Sequence, residues 1–285
     1  MQKGYVYLIG AALCYASMGA LVRVLSVSLP PFTQIFLRLI FSALLTFLLV
    51  LFTKSGFRLK RKIDYLLIIP MGIVGYGLEL SFYTLSFYFT TIGNALFIFS
   101  AYPILATIFA ALFLKEKISK KFIVGLILLS GALLLIFNPN DLTHGLLGNI
   151  FALLNAFCFA IYVIFSRVLS RHGNKAITIT FWTVMFAMLT NGFGSLFFEK
   201  PNLHLQLSVV GILLIFGFLN FLGYNLVNKG FATVKASIGT MLLSLEAILG
   251  AIIGVIFFHE FPSLLFIIGA LEVLLAIYIV SFRLQ

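Results

Sequence analysis

The chain has 285 residues, of which 62% are hydrophobic and 9% charged, with a mean hydropathy of +1.17 and a formal net charge of +11. Soluble domains carry about 25% charged residues, so this composition excludes a chain that faces water all round and fits one that faces lipid. The positive charge does not point to nucleic acid, because the basic residues sit in short segments between apolar runs, where they set orientation in a membrane.

A spanning helix needs about 20 apolar residues. In chain order, candidate spans lie at Gly4–Val24, Phe32–Phe52, Tyr65–Phe87, Ile92–Leu114, Phe122–Phe137, Leu146–Leu169, Ile177–Phe198, Leu207–Val227, Ala236–Phe258 and Leu264–Phe282. These runs are too long, and alternate too little, for barrel strands. They use nearly the whole chain and leave no room for an extramembrane domain. The first run follows Lys3 but has no clear small-residue cleavage site, so it is read as a span and not as a signal peptide.

The loops alternate in charge. Lys54, Arg58, Lys60, Arg61 and Lys62 follow span two, and Lys115, Lys117, Lys120 and Lys121 follow span four. Arg171 and Lys175 follow span six, while Lys229 and Lys235 flank the turn after span eight. The other loops are nearly free of Lys and Arg, apart from Lys200. Cytoplasmic loops are the basic ones, so the expected arrangement is a multi-pass protein of a bacterial-type plasma (inner) membrane with both termini cytoplasmic.

The sequence also aligns with itself at an offset of 144 residues. Gly4, Ala12, Cys14 and Ala16 fall on Gly148, Ala156, Cys158 and Ala160, and Arg23 to Ser26 fall on Arg167 to Ser170. Ser100, Ile104 and Leu105 fall on Ser244, Ile248 and Leu249, and Glu116, Phe122 and Gly125 on Glu260, Phe266 and Gly269. Two units follow, residues 1–143 and 144–285, each of five spans. An odd number of spans inverts the second unit, and the charges agree: Thr91 of the first copy corresponds to Lys235 of the second. The expected fold is therefore an all-α membrane protein of ten transmembrane helices in two inverted five-helix repeats. Such halves exchange conformations about a midplane site, which favours a carrier working by alternating access.

Ionisable groups inside a span usually face the protein interior. Glu79 shares a helical face with Gly72, Gly75, Tyr83 and Ser86, and a related face in span eight holds Gly217, Asn220, Tyr224 and Asn228. The two read together as a pocket lining. Glu246 lies mid-span in helix nine, opposite Tyr102 in the repeat alignment, and Asn94 opens span four. The candidate substrate-binding residues are thus Glu79, Tyr83, Asn94, Tyr102, Asn220, Tyr224, Asn228 and Glu246. Glu79, Glu246 and Arg38 are candidates for coupling to protons or for an ion pair, one alternative being a pair of Glu246 with Arg38. Asn155 and Tyr162 of span six are further hydrogen-bonding candidates. Gly269, Glu272 and Ala276 share a face of span ten suited to close packing or to a homodimer. Cys14 and Cys158 read as small packing residues. His144, His172, His204 and His259 have no ligand spacing, so no metal site is expected. No phosphate loop or nucleophile elbow is present, so no cofactor and no catalytic residue is assigned.

The chain resembles the ten-helix EamA members of the drug/metabolite transporter superfamily. The resemblance rests on Leu29-Pro30-Pro31 with Arg38, Thr90 to Ala95, Tyr102-Pro103-Ile104-Leu105 through Phe113-Leu114-Lys115-Glu116, Leu243 to Ala247, Phe258-His259-Glu260 and Ile268-Gly269-Ala270. The family usually has proline where this chain has Ala247. The resemblance implies a central cavity lined by spans one to four and six to nine. It implies a secondary transporter of a small polar metabolite, such as an exporter of amino acids or related compounds. The alternatives are an importer of a nucleotide- or cofactor-like metabolite such as S-adenosylmethionine, an intramembrane lipid-modifying enzyme, and a passive channel.

Overall fold

The computed structural model describes residues 2–90, 92–136, 145–200, 205–258 and 264–282, together with the side chains of most of them. Among these residues all regular structure is helical. The elements are α1 (Gln2–Leu25), α2 (Pro31–Phe52), α3 (Lys62–Gly72), α4 (Glu79–Phe89), α5 (Ile92–Phe99), α6 (Tyr102–Leu114), α7 (Lys120–Ile136), α8 (Leu146–Arg171), α9 (Ala176–Phe198), α10 (Leu207–Thr233), α11 (Ala236–Leu243), α12 (Leu245–Phe258) and α13 (Leu264–Phe282). A π-helical segment, Ile73–Leu78, joins α3 to α4. Among the described residues seven stretches are long and apolar enough to cross a membrane, among them Lys62–Phe89 and Ala236–Phe257, and Tyr102–Leu114 and Leu264–Val280 are shorter apolar helices.

The helices fall on the apolar runs, but three of the expected spans are not simple helices. Pro70 lies inside α3 and has no N–H to donate to the preceding turn. Three residues later the chain widens into the π segment, which contains Gly75 and Gly77. The stretch expected as one span at Ile92–Leu114 breaks at Ser100 and Ala101. Pro103 sits at the start of α6, in the first turn, where its missing N–H is tolerated. The stretch at Ala236–Phe258 breaks at Ser244 without any proline, Ala247 standing in the first turn of α12. There the Ser244 hydroxyl donates to the Thr240 carbonyl at 3.3 Å, and the Ala247 N–H donates back to the Ser244 carbonyl at 3.2 Å. The Ser244 N–H is shared between the Thr240 carbonyl at 3.2 Å and the Met241 carbonyl at 3.3 Å, so three-residue bonds join the four-residue ones at the break.

The helices pack in pairs: α1 on α10, α2 on α9, α4 and the π segment on α8, α6 on α8, α1 on α12, and α7 on α13. Close approach is built by glycine where the π segment meets α8 and where α10 meets α2. A Cβ at Gly75 would lie 2.9 Å from the Tyr162 Cα, and one at Gly217 would lie 2.5 Å from the Arg38 carbonyl oxygen. The register shift through the π segment also separates the glycines expected on one face. Gly72 faces Phe186 of α9, whereas Gly75 faces Tyr162 of α8. The face carrying Gly269, Glu272 and Ala276 is occupied within the chain: Glu272 lies against Gly131, and the Ala276 carbonyl against Gly125, both on α7. Cys14 and Cys158 are buried free thiols.

Each end of α2 and its neighbours is tied by a carboxylate. At the start of α2, Glu199 at the end of α9 accepts the N–H groups of Phe32 and Thr33, each at 2.7 Å, and the Thr33 hydroxyl at 2.7 Å. This caps a helix N-terminus with an anion from another helix. At the opposite end, Asp64 accepts the Arg61 N–H, the Asn174 amide at 2.8 Å and a 2.6 Å contact from His172 Nδ1. Asn174 in turn accepts the Lys60 N–H. The loop before α3 is thereby clipped to the loop between α8 and α9.

Candidate functional site

The helices bring a polar, aromatic centre to the middle of the bundle. Glu79 begins α4, directly after the π segment, and lies ten residues, about 15 Å, from the end of that helix. Glu246 lies in the first turn of α12, directly after the break at Ser244. Both carboxylates are 3% exposed, and both line one small cavity with Tyr15, Met18, Leu80, Tyr83, Phe99, Phe159 and Tyr224. Its volume, about 20 Å³, is room for about one water molecule.

The Tyr224 hydroxyl donates to Glu79 Oε2 at 2.6 Å. Glu246 Oε1 has no hydrogen-bond partner. The expected ion pair of Arg38 with Glu246 does not form: among the described residues no carboxylate lies within 4 Å of the guanidinium. Arg38 is fully buried instead, stacked 3.8 Å from the centre of the Phe216 ring, with one long contact to the Thr84 hydroxyl at 3.4 Å. Its Nε and one terminal nitrogen have no partner. A buried polar group without a partner carries a desolvation penalty of about 1–3 kcal/mol, more if charged. This centre therefore holds two acids and one guanidinium that are not neutralised by each other.

Tyrosine rings surround the acids. Tyr76 and Tyr224 are 3.8 Å apart between centroids, Tyr15 and Tyr224 5.3 Å, and Tyr162 and Tyr224 5.2 Å. Such rings offer π faces to a cation and hydroxyls to polar groups. The hydroxyls of Tyr15 and Tyr76 are buried and without a partner.

Glu79, Tyr83, Tyr224 and Glu246, four of the expected site residues, line the cavity. Tyr102 stands behind it, its hydroxyl on the Thr240 carbonyl at 3.2 Å, joining α6 to α11. Asn220 donates to the Phe216 carbonyl at 3.0 Å within α10. Asn228 is committed to packing: it donates to the hydroxyls of Tyr162 at 2.8 Å and Thr180 at 3.0 Å, and accepts from Ser166 at 2.6 Å. The side chain of Asn94 lies outside the described residues. Asn155 is buried with neither amide atom paired.

Sequence reasoning passed over Tyr15 and Phe159, which bring α1 and α8 into the lining. The signal was available, because these residues follow Cys14 and Cys158 and are themselves 144 positions apart. Among the described residues no group of three or more His, Cys, Asp or Glu side chains converges as metal ligands would.

The sequence profile of the EamA-like transporter family matches the chain twice, over residues 2–138 and 146–282. The chain belongs to the EamA-like transporter family. It is thus a multi-pass membrane protein of a transport family, not an enzyme. Among named relatives, the pseudopaline exporter CntI of Pseudomonas aeruginosa is 24% identical over 97% of this chain and 95% of its own length. The uncharacterized transporter YdfC of Bacillus subtilis is 29% identical over 62% of this chain and 58% of its own length. A solved crystal structure matches with a TM-score of 0.79 over 98% of this chain and 97% of that one, at 16% identity, which speaks for the fold alone.

Proposed function

We propose that this EamA-family chain is a secondary carrier that exports a small polar metabolite, an amino acid or related zwitterion, by alternating access across a bacterial-type plasma membrane. The observation that carries this reading is the pair of buried carboxylates, Glu79 and Glu246, on one central cavity lined by helices from both halves of the chain. Two carboxylates in a low-dielectric interior without a cation against them are costly, so the centre calls for a proton or for the ammonium group of a substrate. The buried guanidinium of Arg38, with two nitrogens unpartnered, supplies a matching site for a carboxylate.

Several observations support ten spans in two inverted units, 1–143 and 144–285. The family profile matches once in each half. The helix breaks at Ser100 and Ser244 are 144 residues apart. The pairing of α1 with α10 has its counterpart in that of α8 with α4 and the π segment, and that of α6 with α8 in that of α12 with α1. The small cavity supports alternating access. Ligand sites usually run from about 300 to 1,000 Å³, so this conformation is closed around the acids and admits substrate only when the helices part. The name of one relative, an exporter, supports the outward direction.

Counterflow in proteoliposomes tests the reading. Vesicles are loaded in turn with amino acids, S-adenosylmethionine, nucleosides and organic cations, and exchange of labelled substrate is followed. Saturable exchange of a zwitterion is the expected result. Unsaturable flux at all concentrations would make the protein a channel, and exchange confined to nucleosides or to S-adenosylmethionine would replace the proposed substrate class.

A further inference from the structure

A second cavity lies apart from the one that holds the acids. A groove of about 500 Å³ runs between α3 with the π segment, α6 and α8. Pro70 and Val74 form one wall, Phe109, Phe113 and Leu114 the other, and Phe157, Ile161 and Ile164 of α8 lie on the floor. The floor continues through Phe165 to Val168, and every lining residue is apolar. Phe113 is 70% exposed and Phe157 44%, so the groove opens sideways out of the bundle, toward lipid.

Its length and position are informative. From Phe157 to Val168 the floor spans twelve residues, about 16 Å of helix. One leaflet of a bilayer has a hydrocarbon depth of about 15 Å, half of the roughly 30 Å core. The groove ends where α6 and α8 end, among basic residues. Glu116, the acid at this rim, is taken up by Arg167 at 3.4 Å and Arg171 at 2.6 Å. Lys115, Lys117 and Lys120 stand exposed beside it. Lys115 directly follows Leu114 of the groove wall and holds a left-handed backbone conformation, φ +53°, at the end of α6. An apolar channel of one-leaflet depth therefore ends at a segment that carries the exposed Lys115, Lys117 and Lys120.

We propose that this groove is a binding site for an anionic phospholipid, with an acyl chain along α8 and the phosphate at Lys115 and Lys117. The charge at the rim selects the occupant, since a zwitterionic headgroup gains little from ammonium groups whereas an anionic one gains about fivefold in affinity per lysine near the surface. The site is separate from the central cavity and does not depend on what the carrier transports. It touches Pro70 and Val74 at the π segment and Phe109 and Phe113 of α6, elements that lead to Glu79 and to the break at Ser100. A bound lipid thus wedges the elements that border the substrate site.

Native mass spectrometry of the delipidated full-length protein tests this. It is titrated with phosphatidylglycerol and with phosphatidylethanolamine of the same acyl chains. Phosphatidylglycerol is expected to bind roughly 25-fold more tightly, fivefold for each of the two lysines, and Lys115→Gln with Lys117→Gln to remove that preference while leaving the fold intact, because both side chains are exposed. Ile161→Trp, which fills the groove, is expected to weaken both lipids, and millimolar inorganic phosphate to displace neither. Equal binding of the two lipids, an unchanged preference in the lysine variant, or displacement by phosphate alone would each overturn the proposal.

Discussion

Tyr224 reaches Glu79 with a single hydroxyl at 2.6 Å, and that contact joins α10 to α4 across the centre of the bundle. Removing the hydroxyl while keeping the ring isolates its role. Tyr224→Phe is expected to keep the protein folded and to weaken substrate binding by roughly tenfold, the worth of a hydrogen bond to a charged group. Flux over a range of substrate concentrations in proteoliposomes checks this, and an unchanged apparent affinity would remove Tyr224 from the site. Gly75 marks the other extreme, a residue defined by space. A side chain there meets the backbone of Tyr162, which cannot swing away, so Gly75→Val is expected to lower stability by about 1–3 kcal/mol or more. Thermal unfolding in detergent reads the loss. Much of the centre was legible because intramembrane acids are rare and Glu79, Tyr83, Tyr224 and Glu246 stand out against apolar neighbours. Asn228 stood out equally and turned out to bind Tyr162, Thr180 and Ser166. Polarity in a span shows that a partner exists, and helix rotation decides whether the partner is protein or cavity.

At the scale of elements, the spans were readable from apolar run length, but their interruptions were not. Proline signals account for Pro70 before the π segment and Pro103 after the break at Ser100. The break at Ser244 has no such signal, since it is held by short hydrogen bonds around a serine. That position makes a specific expectation. Ala247 lies in the first turn of α12, where a proline ring meets no preceding helical turn, so Ala247→Pro is expected to cost only about 1 kcal/mol, the worth of the N–H bond it removes from the Ser244 carbonyl. The same change at Ala251, within the helix, is expected to be several-fold more damaging, at about 3 kcal/mol. Unfolding of the two variants side by side decides, and equal damage would mean that Ser244 does not mark a true helix start. The carboxylate cap from Glu199 to α2 was also hidden, because its partners are 166 and 167 residues away. Glu199→Gln keeps the shape and removes the charge at the helix N-terminus. It is expected to destabilise the protein by about 1 kcal/mol, read in the same unfolding experiment.

For the whole molecule, the charged loops and the repeat offset make a topology that can be mapped. With Cys14 and Cys158 buried, single cysteines at Ser55 and at Lys200 report on opposite ends of the bundle. Ser55→Cys is expected to react with an impermeant thiol reagent only from the cytoplasmic side, and Lys200→Cys only from outside. Reaction of both from one side would undo the ten-span reading. What the sequence could not convey is how tightly the centre closes. Aromatic rings from α1, α4, α5, α8 and α10 leave room for about one water beside the two acids, and that depends on rotamers and helix tilt.

The most direct test compares counterflow by the wild type with that of Glu79→Gln and Glu246→Gln at matched amounts of folded, reconstituted protein. Both substitutions keep the shape of the side chain and remove only its charge. Saturable exchange by the wild type is expected, with at least a tenfold loss of exchange in each variant and thermal stability unchanged or raised. Full exchange by both variants would contradict the claim that the central acids form the translocation site.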